Sequence, residues 1–498
     1  MKIKIFLIFV LVSVCNTLCG QLYTPDASKF LPGPSDDTSV EYIKDYSQYA
    51  WGKTMRESPD WLNASTDINY QLSTYINAFS PLIGLQISKN NTPSIYMVLD
   101  YIMTYGQKTI EEAKNAFRFV LPPYARFNEQ SLVSTYEEQY SKVSSYPSSF
   151  AFMGWLTALT LVEICPDKQD DVLIRGYNFG KSSIIAGYNW DSDAISARYL
   201  ASALSSAFHN HSQFNNLILA ARKEYREKTG IDNSIPANPS SEPYIDYEDL
   251  PDAAIYLPKP PTDESVYFAY DLNQHIVNSR KRREAEGVTA RADVEYSLDY
   301  FCEIFSSQFG KEISSTKTPQ IYELLRRIHP SGNAATLAPK SYYRRLRPYV
   351  KLNEISGYPS DDEGLRNTGS YPSGHASGSW LYALVLSEIN PKAEEEILAR
   401  AYQYGQGRVI TGFHWQSDVD AGRIVASAVY SHLHACDEFM KQMSLAKQEF
   451  EGSTGTRTIS VKDENESNIV YKLNGTRVEG TPTTSGIYIQ GNKKVAVK

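Results

Sequence analysis

The sequence predicts a mainly α-helical protein with two tandem helical-bundle domains and a small C-terminal β module. Apolar residues recur at helical spacing in segments such as 377–389 and 419–432. The pattern Tyr-Pro-Ser at 146–148 returns at 371–373, which is 225 positions later. Strand-like alternation is scarce before residue 457 and common after it. These three observations define the fold class.

The N-terminus is typical of a signal peptide over residues 1–20. Lys2 and Lys4 precede an apolar run over 5–14 that is too short to span a bilayer comfortably. A lipid anchor on Cys19 is disfavoured, because Leu18 stands where lipoprotein signals have a small residue. No later segment is apolar for long enough to cross a membrane. We therefore expect an exported protein without a membrane span, in the periplasm, at the cell surface or outside the cell.

The internal repeat predicts a duplicated domain. The same offset of 225 aligns residues 187–193 with 412–418, and a shift of one more aligns Thr92-Pro93 with Thr318-Pro319. A period this long is not a solenoid repeat. We place the two copies near 31–230 and 257–450, so that the first domain takes 21–230. The intervening residues 231–256, rich in Pro, Ser, Asn and acidic residues, are predicted to be a linker.

The C-terminal module is expected to occupy 457–498. Residues 458–461, 469–473 and 486–497 are predicted strands, and Asn474-Gly475 and Gly491-Asn492 are typical hairpin turns. The final segment, 486–498, resembles the C-terminal sorting signals of type nine secretion cargo, which implies transport across an outer membrane. The alternative is a generic β tail.

Charge and cysteine content exclude several classes. The formal net charge of −8 gives no electrostatic reason to expect nucleic acid as a partner. Three cysteines lie beyond the predicted signal peptide, Cys165, Cys302 and Cys436, and their spacing suits no zinc site. We expect no metal. Cys302 could pair with Cys436 in an oxidising compartment, and buried free thiols are the equal alternative.

Three motifs in the second copy carry chemistry. They are Lys340-x6-Arg347-Pro348, then residues 372–375 (Pro-Ser-Gly-His), then Arg408-x5-His414-x3-Asp418. A phosphate monoester is a dianion, so its transfer depends on positive charge and positioned donors. Lys340, Arg347 and Arg408 supply that charge, whereas Arg344 and Arg345 are expected to be solvated surface cations.

The remaining motif residues suit nucleophilic catalysis. Ser373 and Gly374 precede a predicted helix, whose N-terminal N–H groups suit an anion. His375 can protonate the leaving alkoxide as general acid, which implies an acidic optimum. His414 is the candidate nucleophile that forms a phosphohistidine. Asp418, four residues on, is expected to accept the other ring N–H of His414.

In order and spacing these motifs resemble the signature of the type 2 phosphatidic-acid-phosphatase (PAP2) superfamily. Residues 369–375 and 408–421 resemble bacterial class A non-specific acid phosphatases more closely still. The resemblance implies a helical fold, hydrolysis of small phosphomonoesters without cofactor, and inhibition by vanadate as a phosphate mimic. One departure is Gly407, where the family usually has serine, so that a hydroxyl contact near Arg408 is lost.

The first copy lacks most of this site. At the offset of 225, His375 falls on Phe150 and His414 on Asn189; Lys340, Arg347 and Arg408 fall on Asn115, Pro122 and Ser183. Ser148 and Asp193 persist, and Lys114 stands one residue out of register. We therefore expect a catalytically dead copy. It would pack on the live one as a pseudo-dimer, because relatives of this class self-associate, and a homo-oligomer is a further expectation.

Three other functions stay open at this point. A vanadium-dependent haloperoxidase uses the same cations and histidine. A phosphate-binding pseudoenzyme would fit the dead copy and Gly407. A lipid phosphatase is disfavoured because such relatives usually carry several membrane spans.

Overall fold

A computed structural model describes residues 24–236 and 238–452 and four strand segments beyond them. The chain divides into two compact units, Met1–Gly452 and Ser453–Lys498. The predicted signal peptide, 1–20, and the predicted strand at 458–461 lie outside the described residues. The prediction of a mainly α-helical fold is confirmed.

The helices of the first half carry the labels α1 to α9. They are α1 (Val40–Met55), α2 (Leu72–Phe79), α3 (Pro93–Ala116), α4 (Pro123–Arg126), α5 (Glu137–Tyr140), α6 (Ser149–Ile164), α7 (Gln169–Ala186), α8 (Asp191–Phe208) and α9 (Ser212–Thr229).

A short helix, α10 (Ala253–Tyr256), precedes the second half. The helices that follow are α11 (Val266–Arg280), α12 (Ala285–Ala292), α13 (Leu298–Phe309), α14 (Pro319–Ala334), α15 (Leu337–Tyr343), α16 (Pro348–Lys351), α17 (Asp362–Leu365), α18 (Gly374–Ile389), α19 (Glu394–Thr411), α20 (Gln416–His434) and α21 (Asp437–Phe450). Single turns of 3₁₀ helix lie at Ala27–Lys29, Ser134–Tyr136, Pro166–Lys168, Tyr247–Asp249, Lys281–Arg283, Pro359–Asp361 and Pro391–Ala393. A longer 3₁₀ segment, Pro59–Ala64, is kinked at Trp61.

Local sequence explains where the central helices begin and why they are central. Ser148 and Ser373 cap α6 and α18, each accepting a hydrogen bond from the N–H three residues on. Almost every residue of α6 and α18 is buried, and neither helix has a polar face. Each is therefore surrounded by other helices, α6 by α7 and α8, and α18 by α19 and α20.

The two halves contact each other through pairs of hydrogen bonds that repeat at the offset of 225. Trp155 donates to Ser427 at 3.0 Å, and Trp380 donates to Ser202 at 3.1 Å. The rings of His209 and His434, also 225 apart, stack with centroids 3.8 Å apart. Contacts of this reciprocal kind are typical of an isologous interface between two copies.

The connecting segment is part of this packed unit. Tyr244, Ile245 and Ala253 are buried, and Arg327 of α14 lies over the Tyr244 ring at 4.0 Å. The linker expected at 231–256 stays a prediction, and several of its apolar side chains belong to the hydrophobic core. The boundaries at 230 and 257 stay a prediction within one compact unit.

The described residues of the second unit form four antiparallel strands in the order β2–β1–β3–β4. They are β1 (Val470–Lys472), β2 (Arg477–Val478), β3 (Gly486–Gln490) and β4 (Lys493–Val497). The register pairs Tyr471 with Ile489, and Tyr488 with Val495. The sorting-signal interpretation of this segment stays a prediction.

Cys165, Cys302 and Cys436 are buried and not disulfide-bonded, so the free-thiol alternative holds for the three. Within the described ranges, no helix combines the length and the apolar content that crossing a membrane requires.

Candidate active site

His414 lies in the sharp turn between α19 and α20. Gly412 ends α19 with a positive φ of 80°, and Trp415 caps α20, so the chain reverses around the histidine. The Nδ1 atom lies 2.8 Å from the Ser370 carbonyl oxygen, and Nε2 lies 3.0 Å from Arg347 Nη1. A carbonyl can only accept, so Nδ1 carries the proton and Nε2 presents its lone pair.

The charge state of His414 fits the same assignment. The ring is 2% exposed. Burial, then Arg347, Arg408 and Lys340, hold the pKa of His414 well below its usual value. The site therefore favours the neutral imidazole, which is the state that a nitrogen nucleophile needs.

Asp418 does not hold His414 as expected. Its Oδ2 accepts the Trp415 N–H at 2.8 Å, closing the first turn of α20, and lies 3.6 Å from His414 Nδ1. The prediction that Asp418 accepts the ring N–H is wrong, because the Ser370 carbonyl is nearer and takes that proton. At 3.6 Å the carboxylate can still stabilise a positively charged His414 by charge.

Arg345 is not the surface cation that the sequence suggested. Its side chain is 8% exposed and binds Asp418 Oδ1 at 2.5 Å and Asp271 Oδ2 at 2.7 Å. Ser417 accepts a further bond from it. Since Asp418 and Asp271 are fully buried, they require a cation, and Arg345 provides it. Arg345 therefore fixes the turn that carries His414.

Arg347 is held in place by acceptors on two sides of its guanidinium group. Its guanidinium donates to Thr368 Oγ1 at 3.0 and 3.1 Å and to the Phe413 carbonyl at 3.0 Å. Nη1 also donates to His414 Nε2, so that the arginine lies directly beside this ring nitrogen. Burial lowers the pKa of Arg347 to about 10, which keeps it charged at any working pH.

The buried Arg408 and the partly buried Lys340 add to the positive charge near His414. Arg408 is 1% exposed, and its Nε and Nη1 have no hydrogen-bond partner. Lys340 donates to Thr336 at 2.6 Å. Burial and the neighbouring Arg347 lower the pKa of Lys340 to about 7. A dianion that enters the site would accept hydrogen bonds from the unpaired donors of Arg408. It would also reduce the repulsion between the neighbouring cations, which contributes to the lowered pKa of Lys340.

The N-terminus of α18 supplies the backbone side of the site. Ser373 is the N-cap, and its own N–H is bonded to the Asp418 carbonyl at 2.8 Å. A methyl group on Gly374 would clash with Asn333 and approach Lys340 Nζ to 3.1 Å. Only glycine allows the ammonium and the helix N-terminus to approach each other this closely.

His375 follows on the first turn of α18. Its Nε2 lies 3.0 Å from the Val294 carbonyl, so it donates there and Nδ1 remains to carry a transferred proton. Tyr404 stacks on the ring, and Tyr296 meets it edge-on. Burial and the charge of Arg408 hold the pKa of His375 well below its usual value in the empty site. A bound dianion beside the ring would raise that pKa.

Gly407 affects the site less directly than expected. A side chain there would point at Ala290, 3.3 Å from its Cα, and at Asp293. In the first half, Ser182 stands 225 positions earlier and donates to Asp67 at 2.6 Å, while Arg175 pairs with Asp67 as Arg400 pairs with Asp293. The family serine would thus bond the carboxylate of Asp293.

We expect Gly407→Ser to change kcat/KM for a phosphomonoester by less than about tenfold, or about 1.4 kcal/mol of transition-state stabilisation. The hydroxyl would meet Asp293 on the neighbouring helix rather than the substrate. Steady-state kinetics beside wild type measure the change, and a larger gain would mean that the hydroxyl touches phosphate.

The corresponding place in the first half is filled by its own side chains. Asn189 donates to the Ser145 carbonyl at 2.8 Å and accepts from Ser148. Phe150 lies in an aromatic cluster with Tyr140 and Tyr188. Phe150 and Asn189 therefore stand where the second half has His375 and His414, as the sequence indicated.

The position of Lys114 in the structure corrects the alignment of the two halves at Lys340. Helices α3 and α14 begin 226 positions apart, and in that register Lys114 corresponds to Lys340. Its ammonium donates to the Ser144 and Pro147 carbonyls at 2.6 Å each. The matching of Lys340 with Asn115 is therefore wrong. The retained lysine is satisfied by backbone carbonyls instead of a ligand.

The assembled residues define a class of protein. A neutral histidine nitrogen, two buried arginines, a partly buried lysine, a helix N-terminus and a second histidine lie close together. This arrangement can bind a tetrahedral oxyanion and transfer it through a nitrogen nucleophile.

Known proteins agree with this class. Residues 330–439 match the PAP2 superfamily model, which covers all eight predicted site residues. The chain is 40% identical over 208 residues to a non-specific acid phosphatase of Providencia stuartii, spanning 42% of this chain and 84% of the relative. It is 36% identical over 209 residues to that of Salmonella typhi, with the same shares, 42% and 84%. An acid phosphatase of Zymomonas mobilis is 31% identical over 224 residues, or 45% of this chain and 85% of the relative. This chain belongs to the PAP2 superfamily, among the non-specific acid phosphatases.

Proposed function

We propose that this protein is an exported acid phosphatase that hydrolyses small phosphate monoesters through a phosphohistidine on His414, without a metal ion. Its place among the acid phosphatases supports the reaction class, phosphoric monoester hydrolysis. The observation that carries the mechanism is the pairing of His414, with Nδ1–H on a carbonyl and Nε2 beside Arg347. Export rests on the predicted signal peptide.

The first half-reaction forms a nitrogen–phosphorus bond. His414 Nε2 attacks phosphorus while Arg347, Arg408, Lys340 and the α18 N-terminus bind the equatorial oxygens. The bound phosphate dianion raises the pKa of His375, so that its Nδ1 takes up a proton from solvent when the substrate binds. The ester oxygen then leaves with this proton, and His375 becomes neutral. Asp418, at 3.6 Å, stabilises the positive charge that the phosphorylated ring acquires.

The second half-reaction returns the site to its starting state. Water attacks phosphorus, His375 Nδ1 takes the proton that the water loses, and the nitrogen–phosphorus bond breaks. Phosphate leaves and His414 is neutral again. The Ser370 carbonyl keeps the ring orientation through both steps.

The hydrogen-bond partners of the two carboxylates near His414, those of Asp418 and Asp271, support catalysis without a metal ion. Asp418 is occupied by Arg345 and the Trp415 N–H, and Asp271 by Arg345 and Ser417. Charge stabilisation comes from the three cations instead. Vanadate, a phosphate mimic, is expected to inhibit competitively.

Hydrolysis of p-nitrophenyl phosphate in the presence of EDTA tests this proposal. We expect turnover that survives EDTA, is greatest at acidic pH and is inhibited by vanadate. Absence of turnover, with inorganic phosphate still bound, would identify a phosphate-binding pseudoenzyme. Bromide oxidation by the vanadate-loaded protein with peroxide would identify a haloperoxidase.

The pH dependence tests the role of Lys340. Its lowered pKa of about 7 means that the ammonium is charged below this pH and loses its charge as the pH rises through it. We therefore expect kcat/KM, which reports the free enzyme, to fall across pH 7. Lys340→Arg stays charged, so it should keep a larger share of its acidic kcat/KM above pH 7. Superimposable profiles would contradict this role.

We further propose that residues 31–230 and 257–450 are copies of one domain that pack as a pseudo-dimer. The reciprocal bonds Trp155–Ser427 and Trp380–Ser202 support a shared twofold arrangement. Left-handed residues recur at the same offset, Asn128 with Asn353 and Gly187 with Gly412. The first copy would then serve as a permanent partner that buries the core face of the catalytic copy. The sedimentation coefficient of the purified chain distinguishes a monomer from a further homo-oligomer.

A further inference from the structure

A cavity of about 560 Å³ adjoins the phosphate site and carries an unusual excess of positive charge. Four of its lining residues are cations, Lys340, Arg344, Arg345 and Arg366, and Asn367 and Thr368 line it as well. No carboxylate belongs to its lining in the described part of the chain. In a chain with a formal net charge of −8, a cationic cavity beside a phosphate site indicates an anionic ligand.

Two of the four cations already have defined roles. Arg345 is neutralised by Asp271 and Asp418, and Lys340 faces the reacting phosphate. Arg344 and Arg366 are exposed on the wall of the cavity. Arg344 bonds the Ser341 carbonyl at 3.4 Å, and Arg366 lies 3.6 Å from the exposed carboxylate of Glu363. Such an exposed pair is weak and can be exchanged for a ligand.

The backbone holds Arg344 beside the catalytic lysine. Arg344 ends α15 in the left-handed conformation, φ 46° and ψ 35°, and its N–H bonds the Lys340 carbonyl at 3.0 Å. A residue other than glycine, Asn or Asp is uncommon there, and such strain is typical of functional sites. A methyl group on Gly369 would clash with that same Lys340 carbonyl, so the 366–369 loop lies against the end of α15.

We propose that Arg344 and Arg366 form a subsite for a second phosphate group of the substrate. The preferred substrates are then small molecules that carry two phosphates, one bound by the catalytic cations and the other by these two arginines. Each guanidinium group can donate two hydrogen bonds to phosphate oxygens. Two arginines together therefore suit a phosphate group, with its three terminal oxygens, better than a single carboxylate. This inference rests on the proposed phosphatase function and names its substrate class.

Propanediol bisphosphate and propanediol monophosphate are matched substrates for a test, because they differ in one phosphate only. We expect wild type to hydrolyse the bisphosphate with a kcat/KM at least about tenfold higher after correction for its two equivalent ends. The doubly substituted Arg344→Ala, Arg366→Ala protein should lose this preference and keep wild-type kinetics on the monophosphate. Arg280→Ala, an exposed arginine on α11 outside the cavity, is the control and should keep the preference.

Salt gives an independent readout. The preference of wild type should fall as NaCl rises, because exposed charges are screened, while hydrolysis of the monophosphate should change less. Equal kcat/KM for the two substrates, or a preference that survives the double substitution, would overturn the subsite. Failure to release phosphate from either substrate would instead overturn the proposed phosphatase function.

Discussion

Replacing His414 with alanine is expected to lower kcat for p-nitrophenyl phosphate by roughly ten-thousandfold or more. The loss should be this large because the imidazole is the only group within the described site that presents an unprotonated nitrogen beside Arg347. The three cations remain in the variant, so phosphate and vanadate should still bind. Steady-state kinetics and phosphate binding by calorimetry measure the two properties separately.

Two controls distinguish loss of the nucleophile from loss of structure. His432→Gln removes another buried histidine of α20, at the far end of the helix, and should leave kcat unchanged. Added imidazole can enter the space left in His414→Ala and should restore part of the turnover as a substitute nucleophile. Activity of His414→Ala near the wild-type level would remove this residue from the mechanism.

Glu388→Gln is expected to lower the free energy of unfolding by about 3–5 kcal/mol. Glu388 is fully buried between the halves and accepts hydrogen bonds from Tyr430 at 2.6 Å and His434 at 2.8 Å. Lys447 Nζ lies 2.8 Å from its other oxygen. The amide would leave two cationic partners, the buried His434 and the partly exposed Lys447, without their counter-charge. Urea unfolding followed by circular dichroism at pH 5.5 measures the change.

The pH dependence of this core follows from its pKa shifts. Burial would raise the pKa of Glu388, but Lys447 and His434 outweigh it and hold that pKa well below its usual value. Glu388 therefore contributes stability above about pH 4.3, the ordinary glutamate pKa, and loses it as the pH falls through the lowered value. The pKa of His434 is raised because Glu388 outweighs burial. Its contribution is complete below about pH 6.5 and is lost as the pH rises through the raised value. Between about pH 4.3 and pH 6.5, Glu388 and His434 therefore both contribute their full stabilisation, and the enzyme is proposed to work in this acidic range.

Glu163→Gln is the matched control, because Glu163 stands 225 positions before Glu388. Its carboxylate meets His209 at 3.2 Å, and its other oxygen is buried without a hydrogen-bond partner. Replacing it should reduce stability less than Glu388→Gln does. A Glu388→Gln protein within about 1 kcal/mol of wild type would show that this cluster contributes little to the packing of the halves.

The helical fold predicted from the sequence is confirmed, and the eight site residues stay a prediction. The errors in the contacts expected of them have physical causes. Asp418 stands four residues after His414, the spacing of neighbours on a helix, but His414 lies in the turn before α20. The ring N–H therefore meets the Ser370 carbonyl, a backbone acceptor that no side-chain motif reveals. Burial of Arg345 depends on Asp271, 74 positions away, and residue type alone does not bring them together.

Residues 231–256 have the composition of a linker, and that assignment stays a prediction although Tyr244 and Ile245 within it are buried. The remaining error concerns register. Lys114 was misaligned because the offset between the halves changes from 226 to 225 after α3. Helix starts at Pro93 and Pro319, and then at Pro123 and Pro348, show the change once the helices are known.

Identification of the phosphorylated residue tests the central claim most directly. The enzyme would be mixed with p-nitrophenyl phosphate, denatured within milliseconds at alkaline pH, where phosphohistidine survives, and digested for mass spectrometry. We predict one added phosphoryl group on His414, present during turnover and lost once substrate is consumed. A phosphoryl group on another residue, or rapid turnover with no phosphorylated histidine in the quenched enzyme, would contradict it.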